Sequence, residues 1–388
     1  MIDEPHNQEV EVLRALAVVL VVVSHAGPLM GPGAAPAYEW IGSRYTFWTG
    51  VDLFFCISGY VIARSLLPRL EGLAGAPFWS EVVAFWIRRW YRLAPSAWAW
   101  IAIVLALTAV FKGPQAFGHL QSNFNHALPA LLNIANFHVQ GCVQADTSCQ
   151  GSLLTVYWSL SLEEQFYLLL PLAVAFAGRR LGIFCLGLVL LQFFIDRSDP
   201  ASLLWFIRTD AILLGVLLGI ARTSPLWHAF EPTGFRRATL RWPVVALLVV
   251  ALGAIPAART VTFGVGFAAL SSAALVFLAA FNRGYLIGEG HLRNALAWLG
   301  SRSYAIYLIH GTAFVLAKLM GERLVQVYAG EVFDTSLLRG VAAVTILLAL
   351  SELNYRFLER PMRLRGRAIA AAYLARRAAT APSSALSP

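Results

Sequence analysis

Ten apolar runs, each close to the length of a bilayer crossing, dominate this 388-residue chain. They lie at 11–30, 47–67, 95–111, 157–177, 181–196, 203–221, 242–258, 261–281, 303–320 and 337–358. A helix needs about 20 apolar residues to cross the hydrocarbon core, where lipid offers no partner to an unpaired backbone group. Charged or Pro/Gly-rich breaks separate the runs and leave no room for a soluble domain or a long linker. Only 13% of the residues are charged, about half of the roughly 25% typical of a soluble domain. The fold class expected is all-α, a polytopic membrane protein of about ten transmembrane helices.

The net charge of +9 would point to nucleic acid in a soluble chain. Here it follows from the bias of basic residues toward one membrane side, so no nucleic-acid partner is expected. With the N-terminus inside and each basic residue near the end of a run counted with the side it adjoins, 21 of the 30 fall on the inner side and 8 on the outer, leaving Arg14 within a span. Both termini are therefore expected in the cytoplasm. The opening "MIDEPHNQEVEV" is acidic and lacks a basic n-region, so the first span is expected to stay as an anchor. Residues 1–365 read as the transmembrane domain. Residues 366–388 read as a basic tail that lies on the anionic inner leaflet and then becomes disordered, an anchor rather than part of the chemistry. In the long outer segment 112–156, Cys142 and Cys149 can close a small disulfide ring or stand as free thiols. Cys56 and Cys185 read as buried hydrophobes, and no Cys/His spacing resembles a zinc site, so no metal is expected.

Ionisable groups within spans are costly and therefore informative. In "LRALAVVLVVVSHAG", Arg14 and His25 are 11 residues apart, which is three helical turns and about 16 Å of rise. They share a face, with Arg14 near the cytoplasmic mouth and His25 toward the outer side. Asp52, in "TGVDLFFCISGY", lies at a similar depth to His25 and can fix its tautomer, or can serve as a helix N-cap. In "FWIRRWYRLAPSAW", Arg89 and Arg92 share a face at i, i+3 and suit bidentate grip of a phosphate; the alternative is an interfacial basic–aromatic belt. Glu163 and Glu164 in "VYWSLSLEEQFYLLLP" are two acids within one span, and at least one should face a cavity. Trp158 marks the outer interface of that span. Arg208 and Asp210 read as a structural ion pair. Tyr304, Tyr307 and His310 recur at i, i+3, i+6, which makes His310 a mid-membrane cavity residue. In "SELNYRFLERPMR", Pro361 is expected to stop the last helix.

Together these segments resemble the bacterial acyltransferase-3 family of integral membrane acyltransferases. Arg14 and His25 reproduce an Arg-x10-His pattern, and Arg89 and Arg92 an Arg-x-x-Arg element followed by Pro95. "GVDLFFCISGY", "WSLSLEEQFYLLLP", "SYAIYLIH" and "YRFLERP" supply further blocks in order. The resemblance covers most of the chain and is to the stand-alone form of the O-antigen or exopolysaccharide acetylase type. It implies transfer of an acyl group, usually acetyl, from cytoplasmic acyl-CoA to a hydroxyl of a glycan or glycolipid, as in lipopolysaccharide, in or across the bacterial inner membrane. The candidate catalytic residues are His25, Glu163 and Asp52. Arg14, Arg89 and Arg92 are the candidates for binding the acyl-CoA co-substrate. Trp158, Tyr307 and His310 are the candidates for binding the acceptor.

An imidazole with an unperturbed pKa near 6.5 suits general-base action on the acceptor hydroxyl, or can itself take the acyl group and pass it on. The second class of function that such buried charges allow is a secondary transporter or flippase. Such proteins often carry repeats in matching halves, and residues 1–194 show no similarity to residues 195–388.

Overall fold

The computed structural model describes residues 7–111, 117–145, 151–197, 199, 201–258, 263–328 and 335–380. These form α-helices and short 3-10 turns, with no strand among the described residues. In chain order the helices begin with α1 (Gln8–Ser24), α2 (Ala35–Gly42), α3 (Gly50–Leu70), α4 (Gly75–Val110), α5 (Leu120–Leu131) and α6 (Ala135–Gln144). Then come α7 (Tyr157–Ala177), α8 (Leu181–Phe193), α9 (Leu203–Phe206), α10 (Asp210–Ala221) and α11 (Ala238–Ala257). The series ends with α12 (Gly264–Ala280), α13 (His291–Ser301), α14 (Ser303–Tyr328), α15 (Ser336–Asn354) and α16 (Arg360–Ala379).

Seven helical stretches are long and apolar enough to cross a membrane, and α12 is a shorter apolar helix. The all-α, multi-pass architecture is thus present, and each of the ten apolar runs falls on helix. One stretch, Tyr157–Phe193, holds two of the runs, joined by a 3-10 turn over Gly178–Arg180.

Three boundaries differ from expectation. The run at 95–111 is only the end of α4, a 36-residue helix that continues through Pro95. At 1.5 Å per residue it extends about 54 Å, well beyond a hydrocarbon core of about 30 Å. Pro361 does not stop the last helix: a π-helical turn over Tyr355–Glu359 immediately precedes it, and the helix runs on through Pro361 into α16. The basic tail is correspondingly helical as far as Ala379.

Helix α3 is the centre of the bundle, with Leu53, Phe55, Cys56, Ile57, Tyr60, Ile62 and Leu66 all fully buried. It packs backbone to backbone against α10. A Cβ on Gly59 would lie 2.0 Å from the Ile212 carbonyl oxygen, and one on Gly215 would lie 2.1 Å from that of Cys56. Small residues at such a crossing let dispersion forces act over a close interface, which matters where lipid removes the hydrophobic drive. Helix α16 is seated on α4 through another glycine, Gly366, which lies against the Tyr91 side chain.

Candidate active site

Three cavities follow one another along α3. At the C-terminal end of that helix, Val61, Ser65 and Arg69 line a basic vestibule of about 700 Å³. Arg88, Arg89 and Arg92 of α4 and Arg363 and Arg367 of α16 complete its charge. The next is a neck of about 80 Å³ that shares Val61, Arg89 and Arg92 with the vestibule. Beyond the neck lies a cavity of about 910 Å³ that shares Val51 and Tyr307 with it. From Arg69 to Val51 the helix rises about 27 Å, close to the thickness of a hydrocarbon core.

The neck is polar on one side. On α7, Ser159, Glu163 and Tyr167 recur every four residues and so share a face. The Glu163 carboxylate accepts hydrogen bonds from the hydroxyls of Ser58 and Tyr167. The Arg89 guanidinium lies 5.1 Å from the centre of the Tyr167 ring. Arg14 reaches the same neck and is paired with Glu11 at 2.7 Å. Tyr304 is fixed by donating to the Leu93 carbonyl at 2.7 Å. Tyr307 stands where neck and far cavity meet, its hydroxyl 2.6 Å from that of Ser159 and donating to the Val156 carbonyl at 3.0 Å.

His25 lines the far cavity, and the end of α1 positions it. Helix α1 stops at Ser24 because Gly27 and Pro28 follow, and proline cannot continue a helix. In the final turn the His25 N–H bonds to Val22 at 3.2 Å, which leaves the Val21 carbonyl free of its usual amide. His25 Nδ1 takes that carbonyl at 2.9 Å. A carbonyl can only accept, so Nδ1 carries the proton and the neutral ring keeps its lone pair on Nε2. Tyr38 locks the turn by donating to the carbonyls of Val23 and Ser24. The rest of the cavity is rich in aromatic rings, with Tyr38, Tyr45, Trp48, Trp158, Trp205 and Phe206 in its wall.

Several candidates sit elsewhere than the sequence suggested. Asp52 does not touch His25. It is fully buried and receives two bonds from Arg208, Nε at 2.9 Å and Nη2 at 3.2 Å. Arg208 therefore does not pair with Asp210, which binds Arg197 at 2.7 Å. The Arg208 guanidinium is boxed by Trp205, Trp158 and Trp48, with ring centres at 4.3, 5.0 and 5.1 Å. The pair braces the aromatic wall.

Glu163 does face a cavity, as expected of at least one acid in that span: it lines the neck, and Glu164 does not. His310 is buried behind His25 rather than facing the cavity, with ring centroids 5.0 Å apart and its Nδ1 bonded to the Tyr307 carbonyl at 2.7 Å. Arg14, Arg89 and Arg92 do line the neck, the last two the vestibule as well, and Trp158, Tyr307 and His25 do line the far cavity. Ser58 and Tyr167 were missed; Tyr167 was legible as the i+4 neighbour of Glu163. Arg367 was assigned to the membrane surface and Arg363 to no role, yet both line the vestibule.

At the far end of the molecule, His126, His138 and Cys142 bring their ligand atoms within 4.8 Å of one another. Cys142 is in a disulfide and so has no thiolate to offer a metal; Cys149 lies outside the described residues. Burial holds both imidazoles below the ordinary histidine value. A folded-state pKa below the unfolded one means that the unfolded chain takes up protons first as pH falls. The α5–α6 region should therefore keep its stability above about pH 6.5 and lose it progressively below. Limited proteolysis across that range should show cleavage of this region rising in acid, and His126→Gln should flatten the profile.

The acyltransferase-3 family model, described as an acyltransferase domain, matches residues 7–351. The O-acetyltransferase OatA of Staphylococcus aureus is 27% identical over 381 residues, covering 91% of this chain and 57% of that protein. The peptidoglycan O-acetyltransferase OatA of Listeria monocytogenes is 25% identical over 377 residues, covering 91% and 55%. The putative peptidoglycan O-acetyltransferase YrhL of Bacillus subtilis is 26% identical over 383 residues, covering 91% and 54%. The chain thus spans little more than half the length of these relatives. No solved structure is significantly similar to it. The match over nearly the whole described chain, on an all-α membrane fold with the arginine and histidine blocks along one path, places this chain in the acyltransferase-3 family.

Proposed function

We propose that the protein is a membrane-bound O-acyltransferase that moves an acyl group, in the first instance acetyl, from cytoplasmic acyl-CoA to a carbohydrate hydroxyl beyond the bacterial cell membrane. The reading places the basic end and both termini in the cytoplasm, from the asymmetry of basic residues. The observation that carries it is the order of the cavities: arginine-lined vestibule, neck, and aromatic cavity holding His25. A CoA thioester has the same order, with anionic phosphates at one end and a reactive carbonyl at the end of a thin arm. The relatives' printed names, O-acetyltransferase and peptidoglycan O-acetyltransferase, support acetyl as the group and a glycan as the acceptor.

In this reading the phosphates rest on Arg89 and Arg92, the arm threads the neck past Glu163 and Tyr307, and the thioester emerges at His25. A sugar ring has apolar C–H faces that suit the tryptophan and tyrosine wall. His25 Nε2 accepts the proton of the acceptor hydroxyl as its oxygen attacks the thioester carbonyl. The carbon–sulfur bond breaks, the new ester leaves on the acceptor, and the proton passes to the departing CoA thiolate.

The test is donor binding to the purified protein. Arg89→Ala and Arg92→Ala should each weaken CoA binding by about 1.5–3 kcal/mol, the worth of a charge-assisted bond, and His25→Ala should leave it largely intact. Unchanged affinity in both arginine variants would remove the phosphate assignment.

A further inference from the structure

Six arginines line the vestibule, and two of them, Arg363 and Arg367, come from α16. This helix lies beyond residue 351, where the family match ends. None of the six has a carboxylate within 4 Å among the described residues. Arg363 and Arg367 are i, i+4 on one helix face, where like charges repel unless an anion lies between them. Helix α16 is also held in register, because Gly366 abuts Tyr91 of the helix that carries Arg88, Arg89 and Arg92. A tail serving only to lie on a membrane would not need its arginines aimed into a cavity. Arg365, between them, is exposed and does not line the vestibule.

The cavity also has an order. Arg89 and Arg92 belong to both the neck and the vestibule, while Arg363 and Arg367 belong to the vestibule alone. We propose that the C-terminal helix is part of the donor site: Arg363 and Arg367 bind the phosphate of the donor nucleotide farthest from the thioester. This rests on the acyl-CoA reading above. It makes α16 a determinant of donor specificity, selecting a nucleotide with a separate ribose phosphate over one carrying only the diphosphate. The shared chemistry is a phosphate monoester, which an anionic lipid could imitate with its headgroup, so the membrane is varied as well.

Binding of CoA and of 3′-dephospho-CoA is measured by calorimetry on the full chain in nanodiscs of neutral phosphatidylcholine, and again with phosphatidylglycerol added. The wild type should prefer CoA by about tenfold or more, the worth of one charge-assisted contact. The Arg363→Ala/Arg367→Ala variant should lose that preference, binding CoA as weakly as dephospho-CoA, in both lipids. Arg365→Ala should keep it. The Arg363→Lys/Arg367→Lys variant should keep part of it, which separates lost charge from a disturbed helix. Equal discrimination in the wild type and the double alanine variant overturns the proposal, as does a loss that appears only with phosphatidylglycerol, which would make this a lipid site. A wild type that binds neither nucleotide instead overturns the acyl-CoA reading itself.

Discussion

His25→Ala should abolish acyl transfer in a protein that still inserts, folds and binds acyl-CoA. A general base contributes about 10²–10⁴-fold in rate, so the loss should be plain in single-turnover assays with a defined glycan acceptor. Folding should tolerate the change because the imidazole is exposed in the far cavity and packs chiefly on His310. The bond it makes to Val21 caps a carbonyl that Ser24 Oγ already reaches at 2.7 Å. His310→Ala should impair turnover less. Because it is buried behind His25 with ring centroids 5.0 Å apart, its expected role is to position that ring, with Nε2 toward the cavity. Near wild-type turnover in His25→Ala together with a dead His310→Ala would move the chemistry to α14.

The path through the membrane was largely legible in the sequence, because lipid imposes a length on every span and a cost on every charge within one. Arg14 and His25 at three turns' spacing do line successive cavities, and Arg89 and Arg92 do line both the neck and the vestibule. Partner choice was not legible. Asp52 and His25 lie at similar depth, but depth along a helix axis says nothing about azimuth. It is the glycine-lined contact of α3 with α10, at Gly59 and Gly215, that brings Asp52 to Arg208. The tautomer of His25 was likewise hidden, since its acceptor is a backbone carbonyl released by the way α1 ends. The seating of the tail was not legible, because a basic amphipathic helix has the same pattern whether its arginines meet lipid headgroups or a cavity. The packing of Gly366 on Tyr91, which sets Arg363 and Arg367 along the vestibule, is a tertiary fact that the pattern does not carry.

The Asp52–Arg208 pair carries the second large effect, and it falls on stability. Both side chains are fully buried, so removing one leaves an uncompensated buried charge. Asp52→Ala should therefore cost about 3–5 kcal/mol, read as a large drop in thermal stability in detergent. Arg208→Ala should cost a similar amount and also loosen Trp48, Trp158 and Trp205, which pack around the guanidinium. Replacing both partners with apolar groups removes the charge imbalance. The Asp52→Leu/Arg208→Leu variant should thus recover most of the lost stability, as buried pairs commonly do when exchanged whole. The same preparation separates bracing from chemistry. If the pair only supports the aromatic wall, the double variant keeps the maximal rate of transfer and shows at most a higher KM for the acceptor, because His25 is oriented by Val21 and not by Asp52. If the double variant folds as the wild type but its maximal rate collapses, Asp52 acts on the imidazole after all.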